Sequence, residues 1–306
     1  MKHPASNFGI GLIAPSGPPL DPARFAAGIA ALETRGARLI RHRPQIRAEG
    51  YLAGSDDART EEINAILRHP DVDVIFSVRG GYGSLRILDR IDYEAAALRP
   101  GVLVGYSDVT ALQLALYHRA RWRGLSGPMV AVEWPDPDEA WETPFWKLLT
   151  GDSGVPLESV DGSTPRCIAP GAAQGPLLGG NLALVTRLLG TPFLPDLTGA
   201  ILFLEDVGES PYRIDAMLAH LRLAGVLDRI SGLVLGAFTD SDPRPDRPSF
   251  SVEEVLEQYF SGSAYPVVAG WNYGHFPRKV PMPIGVPAQL DCSPAAISLR
   301  TLGPLR

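Results

Sequence analysis

Three short stretches place reactive side chains beside apolar runs. In Gly105-Tyr106-Ser107-Asp108 a serine follows the apolar run 101–104 and precedes the helical pattern 109–116. This reads as strand, turn, helix, with the serine in the turn. Such a turn exposes Oγ at the carboxyl end of a sheet and aims helix-start N–H groups at the same point. A hydroxyl is a weak nucleophile until a base takes its proton and a third group orients that base. Leu204-Glu205-Asp206 and Tyr273-Gly274-His275 offer an acid and a histidine for those roles. The order Ser, acid, His is one that serine hydrolases use. The local pattern is incomplete: G-x-S-x-G needs glycine two residues after the serine, and Val109 stands there.

His275 is the base candidate by elimination. His3 is terminal, His42 lies in a basic strand end and His69 closes a helix before Pro70. His118 and His220 fall inside helical patterns, where a solvated or satisfied ring is the default. His275 alone sits in a Gly-bounded loop just past a strand. Glu205 ends the apolar run 200–204, and sheets of this kind place functional groups at strand ends. The plainer alternative is a carboxylate capping the next loop, which Asp206 or Glu209 would serve equally well. A metal reading of Glu205, Asp206, Glu209 and Asp215 is set aside, because no histidine lies at ligand spacing and no calcium-loop pattern appears. The turn Arg79-Gly80-Gly81-Tyr82-Gly83-Ser84 follows the expected strand 72–77. It is a place for a phosphate or for one oxyanion N–H, and it is neither G-x-G-x-x-G nor a Walker loop.

The elements that must position these groups alternate. Strands are expected at 9–14, 38–42, 72–77 and 101–104, and helices at 22–35, 58–68, 85–90 and 109–121. That alternation reads as an α/β fold with a doubly wound parallel sheet. The Gly- and Pro-broken stretch 151–171 reads as a crossing between domains. The expected division is 1–155 for the domain carrying the nucleophile, 156–172 for a linker and 173–306 for the domain carrying Glu and His. In the second half strands are expected at 174–178, 200–204, 233–237, 267–269 and 288–290, with helices at 181–189, 211–224 and 252–259. Gly179-Gly180-Asn181 is read as a helix-start turn with Asn as cap. Strands outnumber helices there, which favours a mixed sheet or partial barrel.

Composition narrows the function classes. The chain has 306 residues, 45% hydrophobic and 20% charged, with net charge −6. Mean hydropathy is near zero and the pI is about 5.5. An acidic chain without a dense Lys/Arg run repels phosphate backbones, so nucleic acid is not an expected partner. Cys167 and Cys292 form no CxxC pair and read as buried thiols. There is no secretory leader pattern at the N-terminus and no apolar span approaching ~20 residues, so neither export nor a membrane is expected and the location is expected to be cytoplasmic. No cofactor is called for, and the sequence leaves a homodimer open.

Seven ordered motifs carry a resemblance. Ile13-Ala-Pro-Ser-Gly17, Arg79-Gly-Gly-Tyr-Gly83, Gly105-Tyr-Ser-Asp108, Gly179-Gly-Asn181, Phe203-Leu-Glu-Asp206, Pro211-Tyr-Arg-Ile-Asp215, and Gly274-His275 with Pro283-Ile-Gly285 are similar, in this order, to the murein tetrapeptide L,D-carboxypeptidases. That serine peptidase family also holds the microcin C self-immunity hydrolases. The resemblance spans about residues 9–290. It implies a flavodoxin-like N-terminal domain, a smaller swivelling β/α domain and a triad falling on Ser107, Glu205 and His275. It also implies an oxyanion hole using the N–H of Asp108 and that of Gly81, and Gly-Tyr-Ser-Asp as the family's own form of the nucleophile turn. The expected reaction is removal of the terminal D-Ala from a murein tetrapeptide, a small-molecule muropeptide substrate. The alternatives are hydrolysis of acyl-adenylate analogues and a non-enzymatic nucleotide- or peptide-binding module. An exopeptidase must also sense a terminal carboxylate, for which Arg79 is a candidate, a structural arginine being the competing reading.

Overall fold

A computed structural model describes residues 3–246 and 248–306, and the counts below refer to these. The first five strands are β1 (Gly9–Ile13), β2 (Arg38–Arg41), β3 (Val74–Ser77), β4 (Val102–Val104) and β5 (Arg123–Ser126). They lie side by side in the order β2-β1-β3-β4-β5, and every neighbouring pair is parallel. This is the flavodoxin-like order, whose crossover direction reverses between β1 and β3. β1, β3 and β4 are buried along their whole length, as strands covered on both faces must be.

Four helices connect these strands, α1 (Pro22–Thr34), α2 (Asp56–Arg68), α3 (Tyr93–Leu98) and α4 (Val109–Ala120), and α5 (Glu139–Leu149) follows the last of them. α1 starts with Asp21 capping the Ala23 N–H and Pro22 at its first position, and α2 starts with Ser55 capping Ala58. The helix expected at 85–90 is a 3-10 helix, Ser84–Arg90. α5 contains Pro144 at its middle and buries Trp141, Phe145 and Trp146 against Trp134.

The second half adds β6 (Arg166–Ala169), β7 (Gly171–Asn181), α6 (Leu182–Arg187), β8 (Ile201–Val207), α7 (Pro211–Leu223), β9 (Gly232–Thr239), α8 (Val252–Phe260), β10 (Val267–Ala269), β11 (Met282–Ile284), β12 (Val286–Cys292) and β13 (Ile297–Thr301). Seven of the strands form a mixed sheet in the order β13-β12-β7-β8-β9-β10-β6. The sheet curls on itself. Cys167 on β6 and Cys292 on β12 lie far apart in that order, yet their sulfurs are 3.0 Å apart as free thiols. Burial pushes the Cys292 thiol up to about 12. β6 forms within the stretch 156–172. β11 returns to the first sheet and pairs antiparallel with β5, so the chain's end stitches the two sheets together. No helix of the described residues is long and apolar enough to cross a membrane.

Candidate active site

Ser107 sits between β4 and α4 with φ 65°, one of three described non-glycine residues at positive φ. A left-handed conformation costs a non-glycine residue on the order of 1–3 kcal/mol and is retained where the surroundings enforce it. Two contacts do so. The Ser107 carbonyl accepts the Thr110 N–H at 3.0 Å, opening α4. Gly80 packs flat against the serine: a Cβ on Gly80 would lie 2.9 Å from the Ser107 Cβ. The turn after β3 and the turn after β4 therefore touch only because residue 80 has no side chain.

Two loops meet at the switch point between β1 and β3. The Gly17 N–H donates to the Gly80 carbonyl at 3.1 Å. Asp108, buried, ties three loops together: its Oδ2 accepts Ser16 Oγ at 2.6 Å and the Ser84 N–H at 2.8 Å. The Asp108 side chain is thereby committed to structure, which leaves its backbone N–H as the group able to face a ligand. Arg79 is half-buried beside Gly17 and Gly81, and its guanidinium donates to the Pro18 carbonyl at 3.3 Å.

The other two groups come from the second sheet. β8 carries an irregularity between Leu204 and Asp206 in its pairing with β9. Such a bulge re-aims side chains that strict alternation would send to opposite faces, and Glu205 and Asp206 are both buried. His275 follows β10 in a loop shaped by Gly274. Its Nδ1 lies 2.7 Å from Glu205 Oε2 and its Nε2 lies 2.9 Å from Ser107 Oγ. Three side chains separated by 98 and 70 positions, subtracting the numbers in the sequence, thus form one hydrogen-bonded chain. In this order a buried carboxylate holds the imidazole with Nε2 facing the hydroxyl, so that Nε2 can take the Ser107 proton as Oγ attacks.

Asn181 completes the site, and its second role was not legible in the sequence. It caps α6 as expected, with Oδ1 accepting the Leu184 N–H at 3.2 Å. Its Nδ2 also donates to Glu205 Oε1 at 3.3 Å and to Asp206 Oδ1 at 3.0 Å. Parallel pairing of β7 with β8 sets Asn181 beside Glu205. Asp206 accepts the Ala183 and Val207 N–H groups as well, and burial, with the nearby Glu205 charge, pushes its carboxyl up to about 6. The Gly180 position brings α4 and β7 together: a Cβ there would lie 2.6 Å from Thr110 Oγ1, which instead accepts the Asn181 N–H at 3.2 Å. The only sequence signal for this was the Gly-Gly-Asn triplet itself. Among the described residues no three His, Cys, Asp or Glu side chains come together as a metal site.

The chain is similar to known proteins along most of its length. The chain is 33% identical over 294 residues to the probable murein peptide carboxypeptidase of Bacillus subtilis (strain 168), spanning 95% of this chain and 91% of that one. It is 29% identical over 306 aligned positions to the microcin C7 self-immunity protein of Escherichia coli, spanning 90% and 88%. The crystal structure of muramoyltetrapeptide carboxypeptidase from Oxalobacter formigenes superposes with a TM-score of 0.85 at 30% identity, covering 96% of this chain and 98% of that one. Residues 10–127 match the LD-carboxypeptidase N-terminal domain and residues 174–290 match the LD-carboxypeptidase C-terminal domain. The chain therefore belongs to the LD-carboxypeptidase family of serine-type hydrolases.

Proposed function

We propose that this chain is a serine carboxypeptidase that hydrolyses the L,D-peptide bond to the terminal D-Ala of a cytoplasmic murein tetrapeptide. The observation that carries this reading is the continuous chain Glu205–His275–Ser107, with the serine held at positive φ. Ser107 Oγ attacks the scissile carbonyl while His275 Nε2 takes its proton, and the ion pair with Glu205 stabilises the resulting imidazolium. The N–H groups of Asp108 and Gly81 receive the oxyanion, and His275 returns the proton to the leaving D-Ala amine. Water then cleaves the acyl-enzyme by the same steps in reverse. Arg79, half-buried beside the Gly-rich turn, pairs with the free terminal carboxylate, since a carboxylate leaving water needs a charged partner. In this reading residues 1–155 supply the nucleophile, residues 173–306 supply the base and its orienting acid, and 156–172 joins them.

The test is to incubate the protein with tetrapeptides ending in D-Ala, L-Ala and D-Ala amide and follow tripeptide release by mass spectrometry. The D-acid alone should be cleaved at high kcat/KM. Equal rates for the acid and its amide would replace a carboxypeptidase with a general amidase. The relationship to the microcin C7 self-immunity protein supports a second reading, hydrolysis of acyl-adenylate analogues. An aminoacyl sulfamoyl adenosine cleaved faster than the tetrapeptide would select it.

A further inference from the structure

His275 is bracketed by two buried contacts to the first sheet's side of the molecule, and neither belongs to the triad. Two residues before it, the Tyr273 hydroxyl lies 2.5 Å from Ser126 Oγ at the end of β5. Four residues after it, Lys279 Nζ lies 2.5 Å from Glu133 Oε1 and donates to the Phe276 carbonyl at 2.9 Å. Lys279 and Glu133 are 3% and 5% exposed in their side chains. The other Glu133 oxygen accepts the Met129 N–H at 2.9 Å. Ser126 closes β5, and Glu133 lies seven residues further on in the segment that follows it.

The same network reaches the nucleophile. Tyr106, the residue before Ser107, donates its hydroxyl to Glu133 Oε1 at 2.8 Å. Its ring lies 4.0 Å beneath Lys279 Nζ and meets the His275 ring edge-on at 5.1 Å. Burial and the Glu133 charge hold the Tyr106 phenol well above its ordinary range, which keeps the proton on the donor. The neighbour of the nucleophile and the loop of the base therefore share one carboxylate.

A buried ion pair is weak evidence for stability, because desolvation offsets most of its attraction; its best-attested use is to fix one arrangement over others. Here the arrangement it fixes is the spacing between two triad members that come from different sheets. We propose that Glu133, Lys279, Tyr106 and the Tyr273–Ser126 contact form a clamp that positions His275 against Ser107. The triad geometry then depends on segment 126–133 as well as on Glu205. The clamp residues are positioning residues, and the inference rests on the Ser107 mechanism proposed above.

Removing one charge of the pair strands the other, so the informative variant is Glu133→Gln with Lys279→Met, which removes both. A second variant, Tyr106→Phe with Tyr273→Phe, removes two hydroxyls and no ring volume. Each is measured for thermal midpoint, for kcat and KM on the D-Ala tetrapeptide, and for the rate at which a fluorophosphonate labels Ser107. A misplacement of about 1 Å can cost on the order of a hundredfold in rate. We expect kcat and the labelling rate to fall together by about 10- to 100-fold in folded protein, with KM within about twofold. A folded charge-pair variant with wild-type kcat and labelling rate overturns the clamp. If that variant does not fold, wild-type kcat in the folded tyrosine variant overturns it. A raised KM with unchanged kcat also overturns it, since the residues would then be contacting substrate. Ser107→Ala separates the two readings: turnover in that variant removes the serine mechanism itself, whereas an inactive Ser107→Ala beside a fully active clamp variant removes only the clamp.

Discussion

Glu205→Gln is the most demanding test of the site, because the structure dictates which way the new amide must face. Glu205 is fully buried, with Oε2 on His275 Nδ1 at 2.7 Å and Oε1 accepting Asn181 Nδ2 at 3.3 Å. Asn181 cannot turn over to suit a new partner: its Oδ1 accepts the Leu184 N–H and its Nδ2 also donates to Asp206. A glutamine at 205 therefore directs its carbonyl to Asn181 and its NH2 to Nδ1. Nδ1 must then accept, which moves the ring proton to Nε2, facing Ser107 Oγ at 2.9 Å. The imidazole can no longer take the serine's proton, and an imidazolium would lack its counter-charge. Changing the acid of such a triad to its amide costs about 10³–10⁴ in kcat, or roughly 4–5.5 kcal/mol of transition-state stabilisation. KM should stay within about twofold, because a fully buried side chain does not reach substrate. Steady-state kinetics on the D-Ala tetrapeptide, with circular dichroism to confirm the fold, supplies the assay. A folded Glu205→Gln enzyme within tenfold of wild-type kcat would refute the orienting role and the assignment of Asn181 with it.

Other outcomes follow from the same geometry. Ser107→Ala should abolish turnover with the fold intact, since alanine removes the nucleophilic hydroxyl and leaves the turn in place; kcat and thermal melting measure both. Gly180→Ala forces a Cβ to 2.6 Å from Thr110 at φ 136° and should cost about 1–3 kcal/mol in urea denaturation, with kcat falling because Thr110 lies in the first turn of α4, just after Ser107. Asp206 titrates near 6 in the fold against 3.8 for its ordinary value. Between those pH values the folded chain keeps a proton that the unfolded chain has released, so this group's contribution to stability is present below about 4 and is lost as pH rises through about 6. The loss is on the order of 3 kcal/mol, and Asp206→Asn should flatten unfolding free energy against pH across that window. Turnover should persist in EDTA, and a loss restored by Zn²⁺ would reassign Glu205, Asp206 and His275 as ligands.

Local sequence determined much of this protein. Apolar runs bounded by Gly and Pro marked most strands, and Asn181 and Pro211 marked helix starts, because capping and φ restriction act within a few residues. Ser107 and His275 were legible from strand-then-loop context, and the ordered motifs joined Glu205 to them. The short strands β5, β6, β11 and β13 were not legible. They hold only three to five residues each and are defined by the neighbour they pair with, as β11 is by β5. Long-range placement was decided by tertiary structure alone. Nothing near Glu133 or Lys279 in sequence announces that they meet, or that Tyr106 shares their carboxylate. Asn181 read as a helix cap because that role is local, while its contact with Glu205 exists only through β7–β8 register. The cysteines meet because a seven-stranded sheet curls until its far strands touch. Side-chain chemistry is written residue by residue, but the 2.7 Å and 2.9 Å spacings that make it a relay come from two sheets held in register by buried contacts between them.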